Sequence, residues 1–260
     1  MEVLQADRLA KDRFERSKRI KWLDMDAIHR ARVLIVGAGA IGNEVAKNLA
    51  LSGFRKITVL DMDYIEHSNL NRCIFFSDLD ADQKRLKAQV VAEGLNKMAE
   101  NLDVIHHTQR IQDMPEDFIP THDLVFGCLD NIAARLHVNA FCYHNQVPYI
   151  DGATDGFAGK VQVVVAPDAP CLECTMNKTH MKIMEKRFSC TGRDVTFFSD
   201  KLPAEITTTS IISAVAVREG LKLTSKRADV LAGKVFYYNG TNNLSDIYDV
   251  DINPDCPHHL

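Results

Sequence analysis

The sequence predicts an α/β protein: a Rossmann-like, doubly wound, mostly parallel sheet with an antiparallel C-terminal extension. Three observations carry this. Short apolar runs alternate with helical patterns over the first 150 residues. A glycine loop, "GAGAIG" from Gly37 to Gly42, joins the first such run to the first of these helices. Past residue 160 the alternation stops, and the chain closes on a hairpin pattern.

Taken in order, residues 1–28 read as an N-terminal helical segment. Leu4, Leu9, Phe14, Ile20 and Leu23 give it a patchy apolar face, suited to another subunit. Residues 33–36 are an unbroken apolar run, as expected of a strand covered on both faces. Residues 40–51 are helical, and 57–60 form a second strand that ends at Asp61. Residues 83–98 make a helix with Leu86, Val90 and Leu95 inward. A weak strand at 103–106, a strand at 123–126, a helix at 133–144 and a short strand at 148–150 complete the wound part. Residues 160–166 are a strand with no helix after it. Residues 175–204 form a loop-rich excursion, and 205–223 a long apolar helix. Residues 234–240 and 244–252 pair as a hairpin around Gly240, Thr241 and Asn242.

The chain has 260 residues, which suits one large domain over 29–260 with 1–28 as an appendage. With 46% hydrophobic and 25% charged residues it has an ordinary globular composition. A net charge of −4 gives no basic footprint for nucleic acid. No apolar run approaches the roughly 20 residues of a membrane span. The charged N-terminus lacks the apolar core of a signal peptide, so the expected location is cytoplasmic. Seven unevenly spaced cysteines do not make a disulfide framework.

Gly37, Gly39 and Gly42 fit G-x-G-x-x-G between strand and helix, where glycines permit a tight turn and a phosphate meets free N–H groups. Asp61 stands where a carboxylate takes a ribose hydroxyl. That much also suits an NAD(P) oxidoreductase. The continuation does not: Asn69, Asn71 and Arg72 follow closely, Lys87 opens the next helix, and Asp130 and Asn131 end the fourth strand. Strand ends of an open α/β sheet share one crevice. Singly, Arg72 or Lys87 is a solvated charge. Together they can neutralise a triphosphate, while Asp130 can hold Mg²⁺. Hydride transfer needs neither.

These stretches, "GAGAIGNE", "LDMDYIEHSNLNR", "LKA" and "CLDNIAARLHVN", resemble the MoeB/ThiF/ubiquitin-activating enzyme superfamily from about Arg13 to the C-terminus. The resemblance implies ATP- and Mg²⁺-dependent adenylation of the C-terminal glycine of a ubiquitin-like protein. It puts Gly39 and Ala40 along the ATP, Asp61 at the ribose, Asn69 and Arg72 at the phosphates, Lys87 at the triphosphate and Asp130 at the metal. Asp63, Asn71 and Asn131 are counted with this set. "RFERS" resembles the family's Arg-Tyr-x-Arg signature, so Arg16, with Arg13 beside it, would reach the neighbour's ATP in a homodimer. Cys73 stands where the family commonly has Gln. The intact Arg72, Lys87 and Asp130 argue against a non-catalytic scaffold.

Cysteines carry two further expectations. Cys171 and Cys174 in "CLEC", with Cys256 and His259 in "CPHH", have zinc-ligand spacing; His258 is the rival fourth ligand, and a redox Cys-x-x-Cys the rival chemistry. Cys190 in "FSCTGRD" lies where ubiquitin-activating relatives carry a thioester, flanked by Arg187 and Arg193, with His180 the nearest histidine in sequence. The excursion is short, which suits a minimal, prokaryotic-type enzyme. A conjugating enzyme would then be the next partner. Activation of a sulfur carrier without a thioester is the alternative. Cys128 and Cys142 read as core.

Overall fold

The computed structural model describes residues 12–176 and 203–259. Among these, eight strands form one sheet. Its parallel part runs β3 (Asp103–His107), β2 (Lys56–Leu60), β1 (Arg32–Val36), β4 (Leu124–Gly127), β5 (Tyr149–Asp155). From β5 the sheet continues antiparallel through β6 (Ala158–Val164), β7 (Lys234–Asn239) and β8 (Leu244–Asp249). Val33 of β1 sits beside Ile57 and Leu124, and Val36 beside Leu60 and Gly127. The strand order reverses direction between β1 and β4, and that gap is where an open α/β sheet forms its crevice.

Among the described residues the helices are α1 (Glu15–Lys18), α2 (Met25–Arg30), α3 (Ala40–Ser52), α4 (Asp78–Asp82), α5 (Lys87–Met98), α6 (Ile132–His144) and α7 (Ile206–Thr224). They cover both faces of the parallel strands. Val33 and Ile35 join Val45, Leu49, Leu95 and Ile212 on one side. Leu34 and Val36, pointing the other way, join Leu136, Val138 and Cys142 of α6. This two-sided cover explains the continuous apolar run of β1. No helix of the described residues is long and apolar enough to cross a membrane.

Three sequence expectations need correction. The helix expected over 1–28 is, in its described part, two short helices; Asp24 starts the second by accepting the Ala27 N–H at 2.9 Å. The helix expected from residue 83 begins at Lys87, because Lys84 adopts φ 47° and Leu86 is extended. The strand expected at 148–150 runs on to Asp155, since β6 pairs with its whole length.

α4 yields a pH-dependent expectation. Asp80 accepts hydrogen bonds from the Ser77 hydroxyl (2.5 Å) and amide (2.9 Å) and from Arg85 (2.9 Å). Burial would raise its carboxyl; the Ser77 and Arg85 contacts outweigh that and hold it below the usual carboxylate range. A depressed folded pKa means this stabilisation is complete above the unfolded value, roughly 3.9. It is lost as pH falls through the folded value. Asp80→Asn is expected to cost about 1–2 kcal/mol at neutral pH. In urea melts the deficit should shrink below about pH 4; a constant deficit would mean that the charge contributes nothing.

Candidate active site

A cavity of about 420 Å³ opens at the β1/β4 reversal. β1 delivers the glycine loop to it. Gly37 takes φ +98°, and a Cβ there would lie 2.5 Å from Cys128 O. Gly39 faces open space, with nothing within 4 Å of where a Cβ would be, so a phosphate can approach its backbone. Gly42 instead packs beneath the loop: a Cβ would lie 2.0 Å from Gly37 O.

The loop is tied down by two side chains. Asp61, just past β2, accepts the Ala38 N–H at 2.6 Å and the Asp63 N–H at 2.8 Å. Burial pushes its carboxyl up, while Lys87 and those amides pull it back. Asn43, fully buried on α3, donates to Ala38 O (2.8 Å) and Gly39 O (3.1 Å) and accepts the Phe75 N–H at 3.1 Å. It thereby joins the glycine loop to the segment that carries Arg72. The sequence reading passed over Asn43, because a single amide inside a helix gives no signal.

Opposite the loop lie the charges. Lys87 at the first turn of α5 pairs with Asp63 at 2.9 Å. Burial disfavours its charge, yet Asp61, Asp63 and Asp130 outweigh burial and hold the ammonium above its usual range. Arg72 is braced from behind by Asn71 Oδ1 at 2.8 Å and by Ser68 O. Asn69 holds its turn by accepting the Glu66 N–H at 3.0 Å. Asn131 caps α6 through the Ala133 N–H at 2.9 Å. Asp130 lies exposed at the cavity rim.

The cavity therefore gathers Gly37, Gly39, Ala40, Asp61, Asp63, Asn69, Arg72, Lys87, Asp130 and Asn131. Buried Gly42, exposed Asn71 and Arg16, exposed on α1, do not line it. Cys190 lies outside the described residues, as do Arg187, Arg193 and His180. Cys128, expected in the core, lines the cavity; Cys142 is core, and so is Cys73, its thiol pushed up to about 11 chiefly by burial. Two features escaped the sequence reading. Gln109 to Gln112, beyond β3, form one wall. Arg135 on α6 reaches the cavity while held bidentate by the fully buried Asp151 of β5, which also accepts the Tyr149 hydroxyl at 2.9 Å.

Residues 13–258 match the ThiF family. The chain belongs to the ThiF family. The NEDD8-activating enzyme E1 catalytic subunit of Dictyostelium discoideum is 38% identical over 159 residues, covering 56% of this chain and 36% of that protein. SUMO-activating enzyme subunit 2 of the same organism is 38% identical over 151 residues, covering 57% and 22%. The chain thus spans about a third or less of these relatives. Among solved structures, E. coli MccB with ATP superposes with a TM-score of 0.72 over 90% of this chain and 68% of that one. At 22% identity, that is a likeness of fold.

This ThiF-family chain carries a second cluster toward the other end of α6. Cys171, Cys174, Cys256 and His259 place their donor atoms within 4.8 Å of one another. Two matching turns present them: the Cys174 N–H donates to Cys171 O at 3.2 Å, and the His259 N–H to Cys256 O at 3.1 Å. His258 turns away to Glu173, at 3.2 Å. The sulfur separations of 3.5 and 3.9 Å bracket the roughly 3.8 Å that tetrahedral Zn–S bonds require. A redox Cys-x-x-Cys pair would need neither Cys256 nor His259.

Proposed function

We propose that this chain is an ATP-dependent activating enzyme that adenylates the C-terminal glycine of a ubiquitin-like protein. One observation carries the reading: Asp61, Asn69, Arg72, Lys87 and Asp130 surround a single cavity beside the glycine loop. A carboxylate oxygen of the substrate attacks the α-phosphorus. The new O–P bond forms as the bond to the bridging oxygen breaks, and the electron pair leaves on pyrophosphate. The chain's part is alignment and charge neutralisation. Asp61 takes the ribose; Asn69, Arg72 and Lys87 take the phosphates. Asp130 offers the oxygen donors that a hard cation prefers and would hold Mg²⁺, which when bound neutralises triphosphate charge. Names of the NEDD8- and SUMO-activating relatives support a ubiquitin-like substrate, and the ATP in MccB supports the nucleotide. The reading treats 29–260 as the adenylation domain in a cytoplasmic homodimer, with Arg16 reaching the neighbour's ATP.

The Cys171, Cys174, Cys256 and His259 set is read as a structural Zn²⁺ site, since three thiols and an imidazole at these separations suit that ion. Residues 175–204 are read as the segment that brings Cys190 to the adenylate. Its thiolate would attack the acyl carbon, forming the C–S bond while AMP leaves with the C–O electrons; a conjugating enzyme would accept the acyl group.

Intact mass spectrometry with ATP–Mg²⁺ and candidate ubiquitin-like proteins tests both steps. Expected products are an acyl-adenylate and a hydroxylamine-labile adduct. Cys190→Ala should lose the adduct on a non-reducing gel and keep pyrophosphate exchange. An adduct that survives in Cys190→Ala removes the thioester role. Exchange without any adduct in the parent chain favours the sulfur-carrier alternative.

A further inference from the structure

Asn139 and Tyr143 of α6 stand four residues apart and so share one helix face. Both bear on the Cys/His cluster. Asn139 is fully buried, and its Oδ1 accepts the Leu172 N–H at 2.8 Å. Its Nδ2 is buried with no hydrogen-bond partner among the described residues. The bond to the Leu172 N–H anchors this amide at the residue that follows Cys171. A buried N–H left unsatisfied costs about 1–3 kcal/mol. A neutral thiol is a weak acceptor, whereas a metal-bound thiolate is a charged one.

Tyr143 settles the other end. Its hydroxyl donates to Pro167 O at 2.6 Å and lies 3.0 Å from His259 Nδ1. A hydroxyl has one proton and two lone pairs. With the proton committed to Pro167 O, the Tyr143 oxygen accepts from Nδ1–H of His259. Nε2 then keeps its lone pair, which in the structure accepts the Cys171 N–H at 3.4 Å and would turn to the ion when one is bound. Histidine ligands are commonly fixed in this way, through the nitrogen that does not bind the ion.

We propose that Asn139 and Tyr143 are positioning residues of the metal site: Asn139 donates to the Cys171 sulfur, and Tyr143 locks His259 in the tautomer that offers Nε2. The proposal rests on the Zn²⁺ reading above. Two conservative variants isolate it. Asn139→Asp keeps size and the acceptor for Leu172 but replaces the donor by a carboxylate. Tyr143→Phe keeps the ring 4.8 Å from His259 and removes the hydroxyl.

Full-length chains would be loaded with Zn²⁺ and titrated against a chromogenic chelator, and the Co²⁺ forms compared by absorption. Each variant is expected to hold Zn²⁺ about 10–100-fold more weakly than the parent, with a changed Co²⁺–thiolate band in Asn139→Asp. Parent protein that takes up no Zn²⁺ defeats the Zn²⁺ reading and the proposal with it. Parent protein that binds while both variants bind within about twofold overturns the proposal and leaves the Zn²⁺ reading intact. If one variant alone weakens binding, that residue keeps its role and the other loses it. A purely structural role would lower the melting temperature equally with and without metal and leave the affinity unmoved.

Discussion

Lys87→Ala is expected to lower ATP–pyrophosphate exchange roughly 10²–10³-fold, the usual cost of removing one preorganised donor from developing charge. The geometry argues for the upper end. Lys87 is the cation that Asp61, Asp63 and Asp130 share, and its ammonium is largely buried. Without it those carboxylates face an anionic triphosphate across a partly desolvated cavity, where charges interact more strongly than in water. Lys87→Arg should recover only part of the rate, because a planar fork cannot replace a compact ammonium between three acids. The substrate KM should rise less than kcat falls if Lys87 acts mainly on the transition state. Exchange within about threefold of the parent in Lys87→Ala would remove this side chain from the chemistry.

Cys256→Ala, or treatment with a strong chelator, is expected to lower the melting temperature by roughly 10 °C. A metal bridge from Cys174 to Cys256 would close a loop of about eighty residues, and closing a loop of that size restricts the unfolded chain by about 4–5 kcal/mol. For a domain of this length each kcal/mol moves the midpoint by about 2–4 °C. Cys256 is also nearly fully buried, so its loss leaves a cavity as well as a missing ligand. Calorimetry on parent and variant, with metal content measured on the same samples, decides the matter. A chelated parent that melts with the untreated protein would show that these four side chains bear no metal that matters to the fold.

Legibility followed the physics of each segment. β1 could be read because both of its faces are buried, which leaves an uninterrupted apolar run. The second half of β5, "GATD", could not. Gly and Asp disfavour strands, and only the pairing of Asp155 with Ala158 back to Gly152 with Val161 holds it extended. Within the site, motif residues were visible because several charges fall close together along the chain. Arg135 and Asp151 were not, since sixteen residues and two elements separate a pair that only the fold closes. Gln109 to Gln112 follow a strand with little apolar signal and carry no distinctive charge pattern. Cys128 packs against the core and lines the cavity as well; a thiol at a strand end gives no sign in sequence of that second exposure.

α6 spans thirteen residues, about 20 Å of rigid rod. One tip presents Asn131 and Arg135 to the cavity, and the other carries Tyr143, which meets His259. A stiff rod let go at one tip is free to tilt as a unit about the hold that remains. Slackening of the far anchorage is thus expected to re-aim Asn131 and Arg135, although no reactant ever touches that anchorage.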